Sequence, residues 1–161
     1  MLDKIKNRKQ EGFTIIEVLI VLAIAGLIML IVFLAVPALQ RNSRNTQRQA
    51  DASKIASAIS SCLATRNGQV ASCEPRADLV TNGGLEPAKF SQLVEANVTI
   101  TATAPADVPG GANAFGTANA GFAAKCNDAG DDTIAGAPRG AAVLFRVENG
   151  TPDGVQRCID V

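Results

Sequence analysis

Residues 18–36 carry no charged side chain, and a single carboxylate, Glu17, stands at the head of that run. A helix of this length and character is long enough to cross a bilayer. Glu17 lies inside the leading edge of the run, where an ionised group without a partner is costly. The partner the sequence offers is an amine. A cut after Gly12 would make Phe13 a new N-terminus, with a pKa near ~8 and one helical turn from the carboxylate. A neighbouring copy of the chain could present its amine equally well.

The stretch Gly12-Phe13-Thr14-Ile15-Ile16-Glu17 and the apolar residues up to Ile24 resemble the class III signal of type IV pilins and their pseudopilin relatives. The resemblance covers about the first third of the chain. It is specific because a glycine, a phenylalanine and a glutamate must all stand at fixed places around one hydrophobic run. It implies cleavage between Gly12 and Phe13 by a dedicated prepilin peptidase, N-methylation of Phe13, and a role for Phe13 and Glu17 in docking subunits into a filament. It also implies an α+β type IV pilin fold: a long bent N-terminal helix, membrane-spanning in its first half, packed by its second half on a small antiparallel β-sheet. The expected layout is a cleaved basic leader (1–12), a transmembrane and filament-core helix (13–38), the amphipathic second half of the helix (39–66) and an extracellular head (67–161).

The function implied is that of a structural subunit of a type IV pilus, a homopolymer serving motility, adhesion or DNA uptake. Its partners would be the peptidase and a membrane platform driven by a cytoplasmic assembly ATPase. A pseudopilin of a type II secretion system, or a minor pilin, keeps the fold and changes the machine. A secreted binding protein cut after Val36-Pro37-Ala38 leaves Glu17 unexplained and has too long an apolar region. A membrane anchor that is never cut leaves Glu17 without its amine. Gly26 matches a frequent glycine of the pilin helix, whereas Pro37 lies about one turn beyond the usual proline. Both are candidate kink positions.

Charge placement supports a membrane orientation. Lys4, Lys6, Arg8 and Lys9 against Asp3 and Glu11 leave the leader at +2, so the N-terminus is expected in the cytoplasm and the remainder outside. Beyond Arg66 six basic residues face eleven acids, which leaves no electrostatic footprint for nucleic acid. The chain has four cysteines, Cys62, Cys73, Cys126 and Cys158, and no histidine. They contain no C-x-x-C pair, so they read as disulfides on the oxidising side rather than as zinc ligands. Three connectivities are possible and the sequence does not choose. The preferred one is Cys62 with Cys73, closing a short loop past a helix end, and Cys126 with Cys158, like the C-terminal disulfide loop of many pilins.

Helical patterning resumes after Pro37, with Ala52, Ile55, Ile59 and Cys62 or Leu63 on one face and Asn67-Gly68 as a stop. Read as one element, 13–66 is about 80 Å long. Arg41, Arg44 and Arg48 share a face, read either as a contact for lipid headgroups or acidic neighbours or as a solvated helix surface. Residues 68–84 read as a loop, 87–96 as a short helix, and 98–104 as a strand from strict alternation. An irregular loop is expected over 105–119 and a weak strand over 122–126. Residues 141–148 and 155–161 form a hairpin.

Nothing resembles an active site, and with no histidine the commonest general base is missing. Ser57, Ser60 and Ser61 read as small helix-face residues, and Gly83-Gly84 and Gly110-Gly111 lack the context of a phosphate loop. No cofactor or metal is expected. Asn127, Asp128, Asp131 and Asp132 offer hard oxygens, yet their spacing does not match a calcium loop, and a solvated acidic turn is preferred. Asn97-Val98-Thr99 and Asn149-Gly150-Thr151 match the short glycosylation sequon.

Overall fold

A computed structural model describes residues 12–74, 76–111 and 114–161 of the 161-residue chain. It divides into two compact units, Met1–Leu39 and Gln40–Val161. Helix α1 (Ile15–Thr65) is 51 residues long and contains Pro37. In hydrocarbon a helix satisfies every backbone polar group internally, so even a run rich in Ile and Val adopts it. The described side chains of the first unit, 12–39, lie exposed in the isolated chain, which is what a segment meant for lipid or other helices presents.

In the second unit α1 buries Ala52, Ile55, Ala56, Ile59 and Cys62, spaced three and four apart as the sequence indicates. The helix stops at Asn67-Gly68. Both residues take positive φ, 55° and 77°, and the Gly68 N–H donates to the Leu63 carbonyl at 2.7 Å, closing a Schellman turn. A short 3-10 turn, Val70–Ser72, then places Cys73 beside Cys62.

Residues 68–84 are not the loop expected of them. Helix α2 (Arg76–Gly83) occupies the second half of that stretch and buries Leu79. Its end approaches α1 so closely that a Cβ on Gly83 would stand 2.4 Å from the Ala58 carbonyl oxygen. The turn residues that suggested a loop serve this close approach instead. The helix expected over 87–96 is also absent: two three-residue 3-10 turns, Pro87–Lys89 and Glu95–Asn97, flank a bend at 91–93. Three consecutive N–H groups there, of Ser91, Gln92 and Leu93, point to the Asp51 carboxylate rather than along a helix axis.

Among the described residues six strands follow: β1 (Val98–Thr101), β2 (Ala118–Phe122), β3 (Ala124–Cys126), β4 (Thr133–Ala135), β5 (Ala141–Val147) and β6 (Val155–Asp160). The main sheet has the order β1-β2-β5-β6, and β3 and β4 pair separately. The sheet is mixed rather than wholly antiparallel, because β1 runs parallel to β2 while β2–β5 and β5–β6 are antiparallel. Strand β1 ends at Thr101, short of the expected 104. Strand β2 begins inside the region read as an irregular loop, and the strand expected over 122–126 is broken at Ala123, whose φ of 53° separates β2 from β3. The β5–β6 hairpin stands where the alternation placed it. Val143, Phe145, Ala118, Ala120 and Phe122 complete the core against α1.

Candidate functional site

At the N-terminal end of the first unit, Glu17 is engaged within its own chain. Its Oε2 accepts from both the Thr14 N–H and the Thr14 hydroxyl, each at 2.8 Å, and Thr14 Oγ1 accepts from the Glu17 N–H at 3.3 Å. This reciprocal pair is a capping box, in which the first and fourth residues of the helix start satisfy each other's orphan N–H groups. The signature Thr-x-x-Glu was present in the sequence, but a reading that looked only for an amine passes over it. Gly12 and Phe13 precede the helix and are exposed, with open space around the Gly12 Cα. The expected cleavage point is therefore not shielded by the described residues. Gly26 likewise meets nothing where a Cβ would stand, so its surface is open to a close helix neighbour.

In the second unit Arg44 and Arg48, two of the three arginines on that face of α1, are held by Glu148 within the chain, which corrects both readings of these two residues. Arg44 grips Glu148 with two bonds, Nε to Oε1 at 2.8 Å and Nη2 to Oε2 at 2.6 Å. Arg48 adds a third, Nη2 to Oε1 at 2.7 Å, and is buried, with its guanidinium 4.8 Å from the Phe115 ring centre. Asn45 exchanges two bonds with the Glu148 backbone, 2.8 Å to its carbonyl and 2.7 Å from its N–H. Hydrogen bonds from Arg44, opposed by burial and reinforced by Arg48, hold the Glu148 carboxyl down to about 2, and the same contact raises Arg44. The cluster pins the end of β5 to the helix.

A second polar contact lies one turn along. Asp51 is fully buried, accepts the three N–H groups of 91–93 at 2.7–3.2 Å, and is paired with Lys54 at 2.8 Å. Burial pushes its carboxyl up, but Lys54 and the three backbone donors outweigh that and keep it below the usual range. Lys54 also reaches the Lys89 carbonyl.

The cysteines form two disulfides, Cys62–Cys73 and Cys126–Cys158, one of the three connectivities open to the sequence. Asn127 and the acids after it are folded on themselves: Asn127 Oδ1 accepts from the N–H groups of Asp131 and Asp132, and its Nδ2 donates to Asp131. No group of three potential metal ligands occurs among the described residues. Asn97 is half-buried, while Asn149 is exposed and bonded to Thr151 within the hairpin turn. Ser57 and Ser60 donate back to carbonyls of their own helix.

Among known proteins, residues 7–33 match the family model of the prokaryotic N-terminal methylation motif. No match to the chain was found among curated proteins or solved structures. The matched segment contains Gly12, Phe13 and Glu17, and the helix it opens packs by its second half on a small β-sheet. Motif and fold together support a type IV pilin-like or pseudopilin precursor.

Proposed function

We propose that the chain is a structural subunit of a type IV pilus, polymerising through its N-terminal helix after cleavage between Gly12 and Phe13. The observation that carries this reading is the exposed apolar helix headed by one carboxylate within the methylation motif. Such a helix needs a bilayer before assembly and the helices of other subunits after it. Lipid competes with those helices on nearly equal terms, so transfer from membrane to fibre needs external work. By the resemblance, this comes from a membrane platform and its ATPase. Before assembly the chain would cross the cytoplasmic membrane once with its leader inside. Afterwards the unit from Gln40 onward would form the fibre surface. The role is structural rather than catalytic.

The first experiment is N-terminal sequencing and intact-mass measurement of material sheared from the cell surface. A chain starting at N-methylated Phe13 is expected. The same mature chain confined to the cell envelope would instead indicate a pseudopilin. A start at Leu39, or an intact Met1, would overturn the filament reading.

A further inference from the structure

The chain contains three Asn-Gly pairs, Asn67-Gly68, Asn82-Gly83 and Asn149-Gly150. An asparagine followed by glycine can lose its side-chain amide without an enzyme, because glycine has no side chain to keep its backbone nitrogen away from the asparagine Cγ. The attack needs the glycine N–H free and the side-chain carbonyl close to it. Two of the pairs fail on the first count. The Gly68 N–H donates to the Leu63 carbonyl at 2.7 Å in the turn that ends α1. Gly83 is the last residue of α2, where its N–H is committed to the carbonyl one turn back.

Asn149-Gly150 meets both conditions. Asn149, Gly150 and Thr151 are exposed at the tip of the β5–β6 hairpin, and none of the hydrogen bonds found among the described residues uses the Gly150 N–H. Asn149 Oδ1 accepts from the Thr151 N–H at 3.0 Å and from the Thr151 hydroxyl at 2.6 Å, which folds the side-chain carbonyl forward over the Gly150 peptide. Those two donors point at the oxygen on which negative charge develops when Cγ is attacked. A cation stands beside the nucleophile: Arg41 Nη1 is 3.2 Å from where a Cβ on Gly150 would be. The Arg41 side chain enters none of the hydrogen bonds or ion pairs found among the described residues. Its charge favours loss of the Gly150 amide proton.

We propose that Asn149 is a self-modification site, converted to aspartate and isoaspartate by its own hairpin turn with water as the co-reactant. Solvent hydroxide takes the Gly150 amide proton, and the nitrogen forms a bond to Asn149 Cγ while the carbonyl electrons move onto Oδ1. They return as the Cγ–Nδ2 bond breaks, and Nδ2 leaves as ammonia with a proton from water. Water then opens the cyclic imide at either carbonyl, so that overall one water is consumed, one ammonia is released and nothing is oxidised or reduced. The hairpin tip gains a carboxylate next to an arginine that lacks a counter-ion, and its charge changes with the age of the folded chain. The reaction belongs to the second unit and does not depend on the filament reading.

Incubating the detergent-solubilised full chain in mildly alkaline buffer made with heavy-oxygen water tests it, with peptide mass spectrometry reading conversion at each Asn-Gly pair. In the folded protein Asn149 should convert about tenfold faster than Asn67 or Asn82, whose glycine N–H groups are released only by local opening. In urea, where the three pairs have the same local chemistry, their rates should agree within about threefold. Thr151→Val removes one donor and should slow Asn149 by about tenfold in the folded protein while leaving its rate in urea unchanged. The comparison of folded with unfolded wild type needs no variant, so it stands even if Thr151→Val perturbs the turn. A folded Asn149 that converts no faster than Asn67 and Asn82 overturns the proposal. An unchanged folded rate in Thr151→Val does the same, because the turn then gives no assistance. So does a glycan on Asn149 Nδ2 in protein taken from cells, since that nitrogen no longer leaves as ammonia.

Discussion

Glu148→Gln isolates the charge of the cluster that joins β5 to α1, because the glutamine keeps the shape and the backbone exchange with Asn45. The lost carboxylate serves three N–H groups, two from Arg44 and one from Arg48. The two arginines differ in what they can do afterwards. The Arg44 side chain is 40% exposed and turns to water, so its share is about 1 kcal/mol or less. The Arg48 side chain is 5% exposed and remains buried with the Phe115 carbonyl and Asn45 Oδ1 as its acceptors. Stripping a buried charge of its counter-ion costs about 3–5 kcal/mol, and the two remaining acceptors place this case near the lower end. A loss of about 3 kcal/mol should lower the melting temperature of the second unit by about 10 °C. With no Trp or Tyr in the chain, the assay is hydrogen exchange of β5 and β6 amides in the detergent-solubilised protein across a urea series. Replacing both buried partners, as Arg48→Met with Glu148→Leu, should cost less than Glu148→Gln alone. A Glu148→Gln effect under about 1 kcal/mol would refute the assignment of Arg48 as a buried, dependent charge.

Acid should act on the same cluster. The folded Glu148 carboxyl is depressed to about 2 from 4.5, so its contribution is complete above pH 4.5 and is lost as pH falls through about 2. Wild type should therefore lose stability over that window more steeply than Glu148→Gln, although Asp51, shifted in the same direction, leaves the variant some slope. Asp51→Ala should cost about 2–3 kcal/mol, since the buried N–H of Leu93 and the part-buried N–H groups of Ser91 and Gln92 lose their acceptor, and limited proteolysis should find the 84–97 segment opened first. Replacing Cys126 and Cys158 by serine should cost about 3–4 kcal/mol from the chain-entropy term of a loop with 32-residue separation, read by urea unfolding. Gly121→Ala should destabilise by about 2 kcal/mol or more, because a Cβ there would stand 2.2 Å from the Thr103 carbonyl oxygen; exchange of β1 and β2 amides reports it.

What the sequence shows and what it hides follow from the range of the interactions involved. The long helix, its buried stripe, the Asn67-Gly68 stop and the β5–β6 hairpin rest on periodicity and local turn chemistry, which a linear reading contains. Strand β2 reads Ala-Asn-Ala-Gly-Phe, with little intrinsic preference for a strand; it forms because β1 and β5 flank it and α1 covers it. The absent helix over 87–96 has the same origin from the opposite side. Its apolar spacing is helical, but a carboxylate 40 residues away takes its N–H groups. Arg44 and Arg48 looked like surface charge because their partner lies about 100 residues further along. Local signals thus gave the elements that fold by themselves, and missed those that depend on one distant polar atom.

Glu17 shows how a residue can meet a local need and still serve assembly. Both bonds from Thr14 go to one oxygen, Oε2, and none of the hydrogen bonds found among the described residues reaches Oε1. The capping box therefore lowers the cost of carrying a carboxylate into the edge of the apolar run without using the whole group. The remaining oxygen can still accept from an amine. If that is how it works, Thr14→Val should weaken the helix start by about 1 kcal/mol and reduce fibre yield while Glu17 is still present. Glu17→Gln keeps a capping acceptor but loses the charge, and should abolish yield even though the helix start survives. Comparing amide exchange at 15–19 with sheared fibre in the two variants separates the roles. Equal loss of fibre with equal fraying in both would reduce Glu17 to a helix cap and remove its part in assembly.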